Sequence, residues 1–71
     1  MTTDRRNEIL EAANASEFSL ISRKGREHKG GRLTGYFLDY PIARAKDGTE
    51  TSISWALAER LASGRSTRVL I

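Results

Sequence analysis

The apolar residues of this chain follow two different periods, and this change of period constrains its fold more than any other feature. Helical spacing appears near the start, where Ile9 and Ala13 fall on one face. It appears again over Ser54–Ser63, a stretch rich in helix formers in which Leu57 and Leu61 share a face. The remaining apolar residues alternate as they do in extended strands. The sequence therefore predicts a fold that combines helices and a sheet.

Four stretches of strand-like alternation lie between the two predicted helices, and a fifth follows the second helix. Asp47-Gly48 predicts a two-residue type I′ turn. Pro41 predicts a bend or a sheet edge, because proline has no amide hydrogen. The order α-β-β-β-β-α-β predicts an α+β fold, with a small antiparallel sheet of about four to five strands and both short helices on one face. The predicted strands are Phe18–Ser22, Arg32–Asp39, Ile42–Lys46, Thr51–Trp55 and Thr67–Ile71.

The length of the chain, 71 residues, predicts one small domain spanning residues 1–71. A domain of this size typically has ~3–5 kcal/mol of net stability, so a homodimer is a plausible state. The absence of cysteine excludes disulfides, cysteine-ligated zinc and thiol catalysis. No apolar run has the length of a membrane span, and the first residues lack the apolar core of a signal peptide. We therefore expect a cytoplasmic protein with no membrane partner.

The basic residues are concentrated in one segment. Ser22–Arg32 contains five basic side chains and one acidic side chain, a net charge of +4, whereas the other sixty residues together carry −1. The segment also contains Gly25, Gly30 and Gly31 and lies between two predicted strands, so it predicts a long basic hairpin loop. Two interpretations remain open: a solvated loop, or a loop that binds an anionic partner.

Side chains suited to catalysis are scarce. His28 is the single histidine and falls between two charged neighbours in the glycine-containing segment, where it is expected to face solvent. No serine stands in a nucleophile-elbow pattern, and one histidine with scattered carboxylates fits a metal site poorly. Gly25–Arg32 only half matches a phosphate-binding loop, because Gly31-Arg32 stands where lysine and a hydroxyl residue belong. We therefore expect no enzyme activity, cofactor or metal ion.

The first hypothesis is a small regulatory protein associated with nucleic acid, of the size of phage and mobile-element accessory proteins. Basic side chains release counterions when they contact phosphates, and aromatic side chains nearby offer stacking surfaces to bases. DNA and RNA fit this pattern equally well. The residues predicted to contact the nucleic acid, or alternatively an acidic partner, are Arg23, Lys24, Arg26, His28, Lys29, Arg32, Tyr36, Tyr40, Arg65 and Arg68.

The second hypothesis is an inhibitor or adaptor that docks on a host protein or on a nucleoprotein complex. Trp55 falls at a strand-to-helix junction: in a strand it points into the core, and in a helix it lies on a second apolar stripe. Exposed tryptophans often anchor protein interfaces. The final strand is either the last core strand or an edge strand, and in the second case it offers Val69 and Ile71 to another chain, including a second copy.

Overall fold

The computed structural model of the chain describes all 71 residues. The elements are α1 (Thr3–Asn14), β1 (Phe18–Ile21), β2 (Glu27–Phe37), β3 (Tyr40–Arg44), β4 (Glu50–Ser52), α2 (Trp55–Ala62) and β5 (Arg68–Leu70). The order of helices and strands along the chain is the predicted one, which confirms the α+β fold. The strands form one five-stranded sheet in the order β4-β3-β2-β1-β5. Neither helix has the length and apolar character of a membrane span.

The sheet is mixed, so the prediction of a purely antiparallel sheet is wrong for one pair of strands. The first four strands pair in antiparallel orientation, but β5 runs parallel to β1, with Val69 beside Leu20. This arises because α2 carries the chain from the β4 edge of the sheet to the β1 edge, where the chain re-enters in the direction of β1. The direction of β5 is set by that crossover, and it cannot be predicted from the alternation of apolar residues in β5 itself.

Both helices cover the same face of the sheet. α1 contributes Ile9 and Ala13 to the interior, and α2 contributes Ala58 and Leu61, each at most 2% exposed. The strand side chains that meet them are Phe18, Leu20, Leu33, Ala43 and Val69, which come from one side of the pleat. No helix lies over the opposite face.

Two bulges in β2 decide which of its side chains reach which face. The first lies near Gly30, whose φ of 72° is the left-handed conformation that glycine tolerates. The second inserts Thr34 into the pairing with β3. A bulge shifts the alternation of all residues beyond it by one position. Arg32 and Phe37, five positions apart, therefore project from the same face.

Asn14, at the end of α1, takes the place of a strand neighbour of β2. β1 begins at Phe18, opposite Gly31, so the rest of β2 has no strand on that side. The Asn14 side chain donates from Nδ2 to the carbonyl oxygen of Leu33 at 2.8 Å and accepts from the Leu33 amide at 2.7 Å. Two backbone groups are thereby satisfied, and α1 is fixed against the sheet.

The connection between β2 and β3 is a two-residue turn that the sequence pattern does not indicate. Leu38 and Asp39 both have positive φ, 50° and 66°, as a type I′ turn requires. Asparagine and glycine are usual at these positions, and a leucine there is strained. Pro41 follows this turn and is fully buried. β3 continues through it to Arg44, so the proline neither bends the chain nor ends the strand.

The predicted type I′ turn at Asp47-Gly48 is a different kind of turn. Only Gly48 has positive φ, 92°, and its amide donates to the carbonyl of Ala45 at 3.1 Å. The Ala45 amide in turn donates to the carbonyl of Thr49 at 2.8 Å. These bonds define a three-residue loop that ends in a left-handed glycine. The position of the turn is confirmed and its type is corrected.

Candidate functional site

The uncovered face of the sheet carries two cross-strand pairs of exposed side chains. Arg32 on β2 lies opposite Arg44 on β3, and Phe37 lies opposite Tyr40 where the same two strands turn. All four side chains are exposed. Because paired residues of antiparallel strands project from the same side, this face joins cationic and aromatic side chains along one hairpin.

The arginine pair carries positive charge that no close ion pair neutralises. Like charges at directly opposed positions of an antiparallel pair are unfavourable. Neither Arg32 nor Arg44 has a carboxylate within 4.0 Å, although Glu50 lies opposite Arg44 on the next strand. An anion between the two guanidinium groups removes their repulsion and gains charge-assisted hydrogen bonds. The pair is therefore suited to a phosphate.

The aromatic pair leaves a large apolar surface in water. Phe37 is 68% exposed and Tyr40 56%, and Leu38 at the turn between them is 77% exposed. Fully burying one such side chain stabilises a fold by roughly 1.5–3 kcal/mol. These side chains remain in water, so the fold does not gain this stabilisation. A shallow groove beside the rings is lined by residues that include Ile42 and Ser52. Exposed rings on an open sheet provide stacking surfaces for nucleic-acid bases.

The part of the face formed by β1 and β5 adds two basic side chains. Arg68 lies beside Ser19, and Lys29 lies with them along a shallow groove that also contains Glu17 and Glu27. The ammonium of Lys29 is 4.0 Å from a carboxylate oxygen of Glu27, so its charge is partly compensated. Arg68 has no carboxylate within that distance. The arginine therefore carries most of the free charge here.

The basic hairpin loop is shorter than predicted. β2 begins at Glu27, so the connection from β1 is only residues 22–26, and the rest of the predicted loop is strand. Ser22 closes this turn: its carbonyl accepts from the Gly25 amide and its amide donates to the Arg26 carbonyl, both at 2.9 Å. Three of the predicted cations remain exposed on the loop, namely Arg23, Lys24 and Arg26.

The expectation that His28 faces solvent in a loop is wrong, because it is a strand residue with a largely buried side chain. It lies opposite Leu20 in the sheet, and its side chain is only 11% exposed. Its Nδ1 is 2.5 Å from a carboxylate oxygen of Asp47 and 3.2 Å from the hydroxyl of Thr49. The histidine therefore joins the β3–β4 turn to β2 and is not free for a ligand.

Asp47 is held in its charged form by this network. The hydrogen bond with His28 and the Thr49 amide, which donates to the second carboxylate oxygen at 2.9 Å, hold the pKa of Asp47 well below its usual range. A carboxyl whose pKa falls on folding stabilises the fold above its unfolded pKa near 3.8, and the contribution is lost as the pH falls toward the folded pKa.

We therefore expect the acid sensitivity of the fold to depend on Asp47. Asp47→Asn should lower the melting temperature at neutral pH and flatten its decline between about pH 5 and about pH 2. Thermal unfolding of both chains across this range, followed by circular dichroism, measures the effect. Equal declines in the two chains would show that other carboxyls are responsible.

Tyr36 and Trp55 lie on the helix side of the sheet rather than on the open face. Their rings meet edge-on at 5.7 Å, and the guanidinium of Arg6 lies 5.0 Å from the Tyr36 ring centre and 5.5 Å from that of Trp55. Arg6 donates to the carboxylate of Asp39, and the indole nitrogen donates to the carbonyl oxygen of the same residue, both at 2.7 Å. The Arg6–Tyr36–Asp39–Trp55 cluster thus joins both helices to the β2–β3 turn.

This cluster shows where two of the predicted residues lie. β4 ends at Ser52 and Trp55 is the first residue of α2, where it is half-buried against the core. Its indole contacts parts of its own chain, and its role as an anchor for a partner stays a prediction. Tyr36, predicted to contact the nucleic acid, belongs to the same cluster on the helix side and is 38% exposed.

The remaining predicted residues are divided among three places. Arg65 follows α2 on the helix side, along a groove with Arg5 and Arg60, and does not extend the open face. Val69 is fully buried, so its side chain belongs to the core and not to an interface. β5 does lie at the sheet edge, and the half-buried Ile71 donates its amide to the Ile21 carbonyl at 2.9 Å.

Arg44 was absent from the predicted binding residues, and Phe37 was considered only as one of three aromatic residues near the basic segment. Arg44 shares alternation with Tyr40 along β3, which has no bulge of its own, so this signal was available in the sequence. That Phe37 shares a face with Arg32 was not predictable, because its face depends on the bulge at Thr34.

No family model, curated protein or solved structure matches the chain. No three or more histidine and carboxylate side chains come together as a metal-binding group. The open face of the sheet is therefore the candidate functional site.

Proposed function

We propose that this chain is a small non-enzymatic regulatory protein that binds single-stranded nucleic acid on the uncovered face of its sheet. The observation that carries the proposal is the combination, on one face, of the exposed Phe37–Tyr40 pair with the uncompensated Arg32–Arg44 pair. Aromatic platforms beside a basic surface are the features with which single-strand binders hold bases and phosphates.

The shape of the face favours a single strand over a duplex. In a duplex the bases are stacked on one another and their flat surfaces are closed to Phe37 and Tyr40. The face is also a sheet surface without a projecting helix, and the 22–26 loop is too short to follow a groove over several base pairs. A single strand can turn its bases onto the rings and its phosphates toward the arginines.

The distribution of charge supports the same arrangement. The helices carry four acidic residues, Asp4, Glu8, Glu11 and Glu59, against three basic ones, Arg5, Arg6 and Arg60, a net charge of −1. The open face has more basic than acidic side chains, and the exposed loop adds three cations. A polyanion is therefore attracted to the sheet side of the domain.

The proposal is tested with a double substitution and a charge-matched control. Arg32→Ala with Arg44→Ala should weaken binding of a labelled single strand about tenfold at ~150 mM salt, and lower the log–log salt slope by about 1.4, the value for two phosphate contacts. Arg60→Ala with Arg65→Ala removes the same charge from the helix side and should change neither quantity. Fluorescence anisotropy between about 50 and about 300 mM salt measures both.

The aromatic contribution is separated by its weak dependence on salt. Phe37→Ala with Tyr40→Ala should lower affinity by about 1–3 kcal/mol for each base that loses its platform, with little change in the salt slope. Leu70→Ala, a substitution at the 79% exposed apolar residue on β5, is the matched control. Parallel arms with RNA, single-stranded DNA and duplex identify the preferred form.

Two outcomes would contradict the proposal. One is equal weakening by the sheet-face and helix-side arginine variants, which would reduce the interaction to net charge. The other is no binding to any oligonucleotide at about 50 mM salt. In that case the second hypothesis, docking of this face on an acidic protein or nucleoprotein complex, gains support, and the same arginine variants test it by pull-down.

A further inference from the structure

We infer that the open face holds a segment of about five to six nucleotides, with bases stacked at one end only. This inference rests on the proposed function. It adds the length of the bound segment and the end of the face at which its bases stack. It is carried by the length of β2 and by the positions of the basic and aromatic side chains along it.

β2 spans nearly the whole length of the domain. Its eleven residues cover roughly 30 Å at about 3.3 Å per residue, less a little for its two bulges. The longest dimension of the domain is 35 Å. Phe37 ends this strand, whereas the loop with Arg23 and Arg26 precedes its beginning. The aromatic pair and the basic loop, which the sequence places close together, are thus at opposite ends of the molecule.

Cations are spaced along the face between these two ends. Arg32 lies five positions before Phe37, at roughly 16 Å, with Arg44 beside it. Lys29 and Arg68 lie farther along, close to the loop. An extended single strand advances about 6 Å per nucleotide, roughly twice the 3.4 Å rise of a duplex strand. The path from the rings to the loop therefore accommodates about five to six nucleotides.

Only one end of this path offers rings to bases. Of the five aromatic residues in the chain, Phe18 is buried in the core, and Tyr36 and Trp55 contact each other on the helix side. Phe37 and Tyr40 are the two that remain on the face. Two bases therefore stack at the hairpin end, and the other nucleotides are held through their phosphates.

A length series and an abasic scan test the footprint. Affinity for oligothymidylates of three to twelve nucleotides should rise steeply to about six and then increase less than twofold for each added nucleotide. In a hexanucleotide, a single abasic site at either of two adjacent positions near one end should weaken binding about tenfold. A single abasic site at any other position should weaken binding less than twofold.

A loop variant links the footprint to this geometry. Arg23→Ala, Lys24→Ala and Arg26→Ala together should move the plateau to about four nucleotides and leave the abasic profile unchanged. The matched control removes Arg5, Arg60 and Arg65 from the helix side and should leave the plateau at about six.

Three results would overturn the inference while leaving the proposed function intact: a plateau at two or three nucleotides, a rise between six and twelve nucleotides as steep as the rise below six, or equal weakening at every abasic position. Failure to bind any oligonucleotide would instead overturn the proposed function itself.

Discussion

Gly31→Ala is expected to unfold the domain or to leave it close to unfolding. An added Cβ would lie 2.7 Å from two ring atoms of Phe18 and 2.7 Å from its carbonyl oxygen. The ring can rotate, but the carbonyl belongs to the backbone of β1, which pairs with β2 at this residue. The two strands must therefore separate. We expect a loss of about 3 kcal/mol, against a net stability of ~3–5 kcal/mol for a domain of this size.

Gly25→Ala is the control, because it separates strain from overlap. Gly25 has a φ of 81° and nothing within 4 Å of an added Cβ, so alanine there brings only the left-handed backbone cost, about 1 kcal/mol. Urea denaturation of both variants by circular dichroism gives the two free energies of unfolding. Similar values for both variants would contradict the close approach of β1 to Gly31.

The sequence was sufficient for the order of the helices and strands, because that order follows from local periodicity. Ile9 and Ala13 recur at helical spacing and are buried together. Leu20 and Val69 are both buried, and each lies between more exposed neighbours on its strand, as strand alternation predicts. The direction of β5 was not predictable in this way. The direction of β5 depends on where the crossover through α2 places the chain relative to β1, which is a property of the assembled fold.

The turns show the same limit. Asp47-Gly48 contains a glycine that adopts positive φ, so the sequence marked its position. Leu38 and Asp39 form the tighter turn without glycine or asparagine. Contacts from Arg6 and Trp55, each at least sixteen positions from Asp39, hold that turn in place. A conformation held by distant residues leaves no local signal.

The candidate site was partly predictable for a related reason. Segment 22–32 is basic, and most of its cations are exposed as expected, but the fold divides them between a short loop and the sheet face. His28 is removed from this set because Asp47, nineteen positions away, binds it. Phe37 joins the site through a bulge, and a single inserted residue exchanges the two faces of a strand. Charge was therefore readable from the sequence, whereas orientation was not.

Trp55→Ala is expected to cost about 3 kcal/mol of folding stability, at the lower end of the range for removal of a packed tryptophan because the ring is half-buried. The substitution removes the edge-on contact with Tyr36, the ring beneath the Arg6 guanidinium and the hydrogen bond to the Asp39 carbonyl. It also releases a turn whose residues have unfavourable φ. Thermal and urea unfolding should show a lower midpoint, and Trp55→Phe, which retains a ring, should fall between the variant and the natural chain.

A double-mutant cycle between Arg6 and Trp55 separates the cluster from simple loss of packing. Because both side chains contact Asp39, Arg6→Ala should cost less in the Trp55→Ala background than in the natural chain, with a coupling of about 1 kcal/mol. Strict additivity would mean that the two contacts act independently on the turn. If Trp55→Ala retained a cooperative melt within about 0.5 kcal/mol of the natural chain, the surface interpretation of this tryptophan would be favoured. The domain would then have to hold the Leu38–Asp39 turn by Arg6 alone.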